Sequence, residues 1–441
     1  MPNKVDYRTK DQDQHNQNAK RLTPTDIAQF IRLGECNRYL KLRLHERKKG
    51  SGFLRDFGVA PQSIPPLLTL SGQRFEERVE QAARQRFTVI RCGEALEDDD
   101  LGEDDGGKTT GQRSDNQLVV DHACALPAGG TLLLFQPRLE AVLGEWPFVG
   151  DVDILRLDRD EAGCLSALIV DMKSTTSAKL EHRLQVAFYH RMLTSIMINA
   201  GVNFARLDLG IIYRGPANWE PTSGSMSGNA ETLTAAEITK SEAAQNLLGV
   251  PNALLEIIGN PEDYLAEVDD LVASPEAVVT KIARTRHADT FFHLSYKCDG
   301  CLYNEWCMKS TFQNDDLSLI PTLTASEKRL LLAAGIRTVA AAATLMTLTD
   351  ELGSKVHLVP APGQENRVRS LRASPLGPRL LEIVHRAKQA ARSRRRELEK
   401  AASLRSEAAA EVGNEAATEV GNEAAAEVGS VKAAVQRGVF A

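Results

Sequence analysis

Apolar residues fall at helical spacing near both ends of this chain and gather into short, partly alternating runs between them. LTPTDIAQFIRLGECNRYLKLRLHER (22–47) predicts a helix that Thr23 can cap, with Pro24 at its first position and Asp26 in its first turn. Residues 50–70, with Pro61, Pro65 and Pro66, read as a loop, and SGQRFEERVEQAARQRF (71–87) as the next helix. TLLLFQP (131–137), FVGDVDILRL (148–157), the run Ala167–Val170 and FARLDLGIIYRG (204–215) predict strands. LQVAFYHRML (184–193) is helical, and residues 234–290 read as mostly helical. Between these elements lie an acidic insertion (97–116) and a Gly/Ser/Asn/Thr loop (215–233).

Candidate chemistry concentrates between Phe148 and Leu193. Asp151 and Asp153 lie within the run 148–157, and Asp171 and Lys173 follow directly on Ala167–Val170. The turn-like residues Asp158–Cys164 between them make a hairpin the economical connection. Residues two apart in a strand share a face, so Asp151 with Asp153, and Asp171 with Lys173, are expected to point together. Pairing the strands would bring an acid of each, plus the lysine, into one small volume. Clustered carboxylates repel and need a counter-charge, and Mg²⁺ takes oxygen ligands and bridges carboxylates to a substrate phosphate. Taken alone, D-x-K is a weak pattern, equally compatible with a solvated face of an ordinary hairpin.

The order Gly150-x-x-Asp153, Asp171-Met172-Lys173 and Gln185-x-x-x-Tyr189 resembles the RecB-like branch of the PD-(D/E)XK nucleases. The resemblance implies an α/β, restriction-endonuclease-like core, a mixed sheet flanked by helices, here with a helical C-terminal extension. It makes Asp153, not Asp151, a ligand of Mg²⁺ or Mn²⁺ together with Asp171. Glu76 is the upstream helical acid, with Glu77 beside it as the alternative. Lys173 would position the attacking water, and Gln185 and Tyr189, on one helix face, would orient the substrate or Lys173.

A second constellation is YKCDGCLYNEWCMKS (296–310). Cys298, Cys301 and Cys307 give C-x2-C-x5-C, three soft ligands in need of a fourth, and Cys36 is the candidate. Nucleases of the AddB and CRISPR-adaptation types, which this layout resembles, place one cysteine before the core and three after it around a [4Fe–4S] cluster. Zinc remains the alternative, because the ligands alone do not choose the metal. Cys92, Cys124 and Cys164 are expected to be packing residues, and Tyr303 and Trp306 to shield the cluster. Beyond it, LIPTLTASEKRLLLAAGIRTVAAAATL (319–345) predicts two short helices about Gly335-Ile336, with a Thr324/Glu327 capping box and Thr338 capping the second. This is similar to a helix-hairpin-helix module, which holds a nucleic-acid phosphate on backbone amides. A plain pair of packed helices is equally compatible.

Composition narrows the class. The 441 residues suffice for more than one domain, and the net charge of −6 argues against a chain coated in nucleic acid while leaving room for local basic segments. No apolar run approaches the roughly 20 residues of a membrane span. The polar N-terminus lacks a signal-peptide core, so a cytoplasmic, reducing location is expected and the seven cysteines are not primarily a disulfide framework. Five parts follow: a disordered 1–21, a nuclease domain over 22–312, a helix-hairpin-helix-like module over 313–350, a basic helical extension over 351–400, and an octapeptide-repeat tail over 401–441. The expected activity is a metal-dependent DNA nuclease, an exonuclease or end-processing enzyme on single-stranded DNA or free ends, in repair or recombination. A non-catalytic nucleic-acid-binding protein is the rival.

Overall fold

The computed structural model describes residues 21–49, 66–93, 114–214, 234–349, 357–400 and 402–403. The N-terminal segment to residue 20, most of the acidic insertion, the 215–233 loop and the repeat tail lie outside them. The chain divides into two compact units after Trp306.

In the first unit, α1 (Pro24–Arg32) begins as the sequence predicts. The Thr23 hydroxyl accepts from the Asp26 amide at 3.0 Å, and the Asp26 carboxylate accepts from the Thr23 amide at 3.0 Å. Gly34, at φ +71°, turns the chain into α2 (Asn37–Lys49). Helix α3 spans Pro66–Arg84, so it starts inside the stretch expected to be a loop; its proline sits at the first helical position, where it ends a loop rather than breaking a helix. Strand β1 (Thr88–Arg91), helix α4 (Asn116–Ala125) and β2 (Thr131–Phe135) follow. Next come β3 (Arg138–Leu143), β4 (Trp146–Asp151), β5 (Ile154–Arg159) and β6 (Leu165–Lys173). The unit continues through α5 (Leu180–Asn199), β7 (Arg206–Arg214), α6 (Ala235–Ala243), β8 (Ala253–Ile257), α7 (Glu262–Val272) and α8 (Val278–Arg284). Residues 234–290 are mostly helical, as expected, with the single strand β8 among the helices.

The main sheet is mixed, ordered β1-β2-β5-β6-β7-β8, with β1–β2 and β6–β7 parallel and the other pairs antiparallel. One face carries Leu133, Phe135, Ile154, Leu168, Val170 and Met172, closed by Phe75, Val79 and Ala83 of α3. Helix α5 packs against β6 and β7, with Val186, Ala187, Phe188 and Met192 fully enclosed. This is the expected mixed sheet flanked by helices.

One sequence expectation is corrected here. The run 148–157 is not one strand: β4 pairs with β3 in a separate two-stranded sheet, and β5 joins the main sheet. The chain changes sheets at Val152-Asp153, where the Val152 amide donates to the Pro137 carbonyl and the Gln136 amide to the Asp153 carbonyl, both at 3.1 Å. Both halves carry the same apolar pattern, so periodicity cannot reveal the change.

Helix α9 (Asn304–Gln313) contains the division between the units. In the second, α10 (Ala325–Ala333) and α11 (Val339–Ala343) are capped by Thr324 and Thr338 as expected, with Gly335 at φ +78° between them. A short hairpin of β9 (Met346–Thr349) and β10 (His357–Pro360), absent from the sequence reading, precedes α12 (Glu365–Ala373) and a long helix over 380–400. Leu331, Ile336, Val339, Leu380, Ile383 and Val384 form its core. Lys328 is buried and donates to Asp316 and Ser318 at 2.7 and 3.0 Å. No described helix is long and apolar enough to cross a membrane.

Gly150 sets how closely β4 approaches its helices. A Cβ there would lie 2.8 Å from Cε1 of Tyr189 and 2.9 Å from Cδ of Pro24. Gly150→Ala therefore overpacks the junction and is expected to cost about 1–3 kcal/mol, read as a lower denaturant midpoint. An unchanged midpoint would show that the junction yields freely.

Candidate active site

The strand directions bring the C-terminal ends of β1, β2, β6 and β7 to the same edge of the sheet as the start of β5. A cleft of about 750 Å³ opens there, lined by Glu76, Asp153, Met172, Lys173, Gln185 and Tyr189 among others. The structure thus brings the six residues expected on sequence grounds to be catalytic or nuclease-metal residues to one edge; Asp171 is buried behind Lys173.

The strand pairing brings the acidic pair close: Ile154 is opposite Val170, with Asp153 directly before the first and Asp171 directly after the second. The Met172 amide donates to Asp153 Oδ2 at 2.6 Å. Asp171 is 1% exposed and lies within 2.8 and 2.7 Å of Lys173 Nζ through its two oxygens. Asp153 keeps some surface on the cleft but is densely surrounded. That desolvation, then the Asp171 carboxylate, pushes its carboxyl well above the usual range, with Lys173 opposing. Burial pulls the Lys173 amine down, but Asp171 and Asp153 outweigh it and leave its pKa raised. Lys173 is therefore an ammonium in this arrangement.

Asp151 lines the same cleft as Asp153. It ends β4, more than half exposed, 3.5 Å from Arg138. Its backbone also serves the site: Tyr189 Oη donates to the Asp151 carbonyl at 2.8 Å, and Gln185 Nε2 approaches Tyr189 Oη at 3.5 Å. Burial and the carboxylates of Asp153 and Asp171 hold the Tyr189 phenol well above its ordinary pKa, so it stays neutral. Glu76 lines the cleft, whereas Glu77 lines a different recess.

Several residues escaped the sequence reading. Leu22 bridges Phe148 in parallel register, and this carries Thr23, Thr25 and Asp26 into the cleft wall. Asp26 pairs with Arg43 Nε at 2.6 Å, and Arg43 pairs with Glu46 at 2.8 Å. Arg91 pairs with Glu80 and donates to Gln136 at 3.0 Å; Gln136 sits at φ +54° at the corner that holds Asp153. These contacts join segments remote in sequence. Only the capping pattern of Asp26 was visible there.

Among the described residues, no three His, Cys, Asp or Glu side chains form a ready-made group for a metal ion. In the cleft, the Lys173 ammonium donates to Asp171 Oδ1 and the Met172 amide to Asp153 Oδ2, whereas the buried Asp171 Oδ2 accepts no hydrogen bond among the described residues. The donors nevertheless fit a hard divalent cation. They are carboxylate oxygens, and the mutual repulsion of Asp153 and Asp171 is only partly relieved by one ammonium.

The cysteines divide as follows. Cys36 and Cys298 are half-buried, and Cys301 and Cys307 are buried. Burial raises the Cys36 thiol, with Cys298 adding to it, and burial pushes Cys301 to about 11, with Cys36 and Cys298 contributing. Those three therefore interact. Cys307 is on α9, at the start of the second unit. Of the cysteines expected to pack, Cys92 is buried, but Cys124 and Cys164 are exposed, a correction. Cys124 ends a helix and Cys164 follows a turn, where a single apolar residue has nothing to pack under. Tyr303 is fully buried, and its hydroxyl donates to Glu46 at 2.5 Å.

Residues 74–308, more than half of the chain, match the model of the PD-(D/E)XK nuclease superfamily, and the chain belongs to that superfamily. A nuclease domain, a hydrolase acting on nucleic acid, is thus the class that fold and site define. The protein SSO0001, known from a crystal structure, is similar at 9% identity with a TM-score of 0.24, over 66% of this chain and 88% of that one. At that level the likeness carries no argument. No curated protein matches this chain.

The repulsion at Asp153 has a measurable sign. Its carboxyl is raised on folding, so the metal-free protein loses stability as pH rises through the raised value. Asp153→Asn keeps an acceptor for the Met172 amide and carries no charge. In chelator the variant is expected to have the higher denaturation midpoint at alkaline pH, with the gap closing on acidification. A gap that instead widened in acid would contradict the repulsion.

Proposed function

We propose that this protein is a Mg²⁺- or Mn²⁺-dependent deoxyribonuclease, an exonuclease or end-processing enzyme that hydrolyses single-stranded DNA in cytoplasmic repair or recombination. The observation that carries the proposal is the Lys173 ammonium seated on Asp171, with Asp153 close by and Glu76 across the same cleft. Phosphodiester hydrolysis needs a positioned water and positive charge beside the phosphoryl oxygens, and this chain supplies both functions from one edge.

Glu76, Asp153 and Asp171 would hold the metal. When bound, it lowers the pKa of its water and offsets charge on the phosphorus oxygens. Lys173, as an ammonium, orients the attacking water and donates to the phosphoryl group. Tyr189 fixes the Asp151 carbonyl and so the approach to Asp153, while Gln185 steadies Tyr189. In the same proposal Cys36, Cys298, Cys301 and Cys307 hold a [4Fe–4S] cluster, with zinc as the alternative. The α10–α11 hairpin grips phosphate as a helix-hairpin-helix module. Hydrogen bonds from Arg32 to the Gly300 carbonyl (2.6 Å) and from Tyr303 to Glu46 support the staple, because they already tie the two cysteine-bearing segments together.

A non-catalytic nucleic-acid-binding protein is the second reading, favoured by the unassembled ligand set. One experiment separates them. Anaerobically purified protein is incubated with end-labelled single-stranded DNA and Mn²⁺, beside Asp171→Ala and Lys173→Ala. Cleavage by the wild type is expected to fall on the order of 10²–10⁴-fold in both variants, with broad visible absorption from the cluster retained. An intact protein that cleaves neither single-stranded, duplex nor flapped DNA would establish the binding reading, and a colourless, zinc-containing protein would replace the cluster.

A further inference from the structure

Glu77 turns away from the cleft into a second recess of about 610 Å³, shared with Ser71, Arg74, Arg78, Gln81 and Arg214. Arg74 and Arg78 stand four residues apart on the exposed face of α3, the helix whose opposite flank presents Glu76 to the cleft. Arg214 ends β7, and its amide donates to the Thr175 carbonyl at 3.1 Å. Because Lys173 pairs with Tyr213, Arg214 emerges at the same sheet edge as the cleft.

The charges in this recess are not balanced. Three guanidinium groups face one carboxylate, and none of the three forms an ion pair among the described residues. Arg214 donates to the Ser71 carbonyl and lies over the Phe75 ring at 5.4 Å, while its Nε finds no hydrogen-bond partner among the described residues. Burial and the neighbouring Arg78 lower its pKa, the mark of like charges held together. Elsewhere in this unit Arg84 and Arg91 are neutralised by Glu80, Arg183 by Glu256 and Arg191 by Asp269, while Arg86 and Arg159 stand singly on backbone carbonyls. Guanidinium groups left without carboxylates form a receptor for phosphate oxygens, which they take in bidentate fashion.

We propose that Arg74, Arg78 and Arg214 form a phosphate subsite that holds the sugar-phosphate backbone of the strand being cut, next to the scissile position. The proposal rests on the nuclease reading above. Such contacts position a strand without reading its bases, so the subsite acts on any sequence. Arg74 and Arg78 are positioning residues, separated from Glu76 by less than one helical turn, about 5.4 Å along the axis. A strand gripped there and cut at Asp153 would be fixed in register relative to the reacting phosphate.

The test uses the full-length chain and a fluorescein-labelled oligothymidylate, with anisotropy followed over a salt series in chelator and cleavage followed in Mn²⁺. The double variant Arg74→Ala/Arg78→Ala is expected to bind about tenfold more weakly at low salt. Its log K against log[salt] slope should be shallower by about 1.4, or 0.7 for each single-strand phosphate that is no longer neutralised. Arg74→Lys/Arg78→Lys should restore the slope but not all of the affinity, because lysine keeps the charge and loses the fork. A wild type that cleaves, with an alanine double variant of unchanged affinity and slope, would overturn the subsite and leave the catalytic reading standing. A wild type that neither binds nor cleaves would overturn both. A wild type that binds without cleaving, with the slope shallower in the alanine double variant, would support the subsite and overturn the catalytic reading.

Discussion

Two carboxylates held close at the start of β5 and the end of β6 are the constraint on which the site depends. Asp153 directly precedes the Ile154–Val170 pair and Asp171 directly follows it, so strand pairing keeps the two acids near each other. One ammonium, Lys173, answers part of their repulsion, held on the face of β6 away from Val170 and Met172, which belong to the core. The apolar layer under α3 therefore locks the backbone that makes the electrostatic arrangement unavoidable. Buried like charges with an incomplete counter-charge are a familiar signature of functional sites rather than of stability.

The N-terminal segment completes the arrangement from outside the sheet. Leu22 pairs with β4, α1 packs on α5, and the line Asp26–Arg43–Glu46–Tyr303 runs from the cleft wall to the cysteine-bearing segment. Arg43 is held charged by these partners: burial opposes its charge, and Asp26, Tyr303 and Glu46 together more than offset that. Chain regions more than two hundred residues apart thereby share one polar network.

Much of this was legible beforehand, for identifiable reasons. Thr23, Pro24 and Asp26 announced α1 because capping is a local interaction. The strand carrying D-x-K was readable from its apolar run, while the family resemblance singled out Lys173, Gln185 and Tyr189, the last two on one helix face by their spacing. Glu76 could not be separated from Glu77, since the choice depends on which flank of α3 meets the sheet. The transfer between sheets at Val152-Asp153 was invisible because both strands carry the same pattern. Strands β1, β3 and β8 escaped notice; β1 has only four residues, while β3 and β8 match β5 and β2 in length and take their place from pairing with neighbours. The roles of Arg43, Gln136 and Arg214 arise only from tertiary contact.

The central claim is that Glu76, Asp153 and Asp171 together form a divalent-cation site completed by binding. Calorimetric titration of Mn²⁺ into chelator-treated protein, beside Asp153→Ala and Asp171→Ala, tests it most directly. The account predicts saturable binding by the wild type and at least a tenfold weakening in each variant, about 1.4 kcal/mol or more. Equal affinity in all three proteins would contradict it.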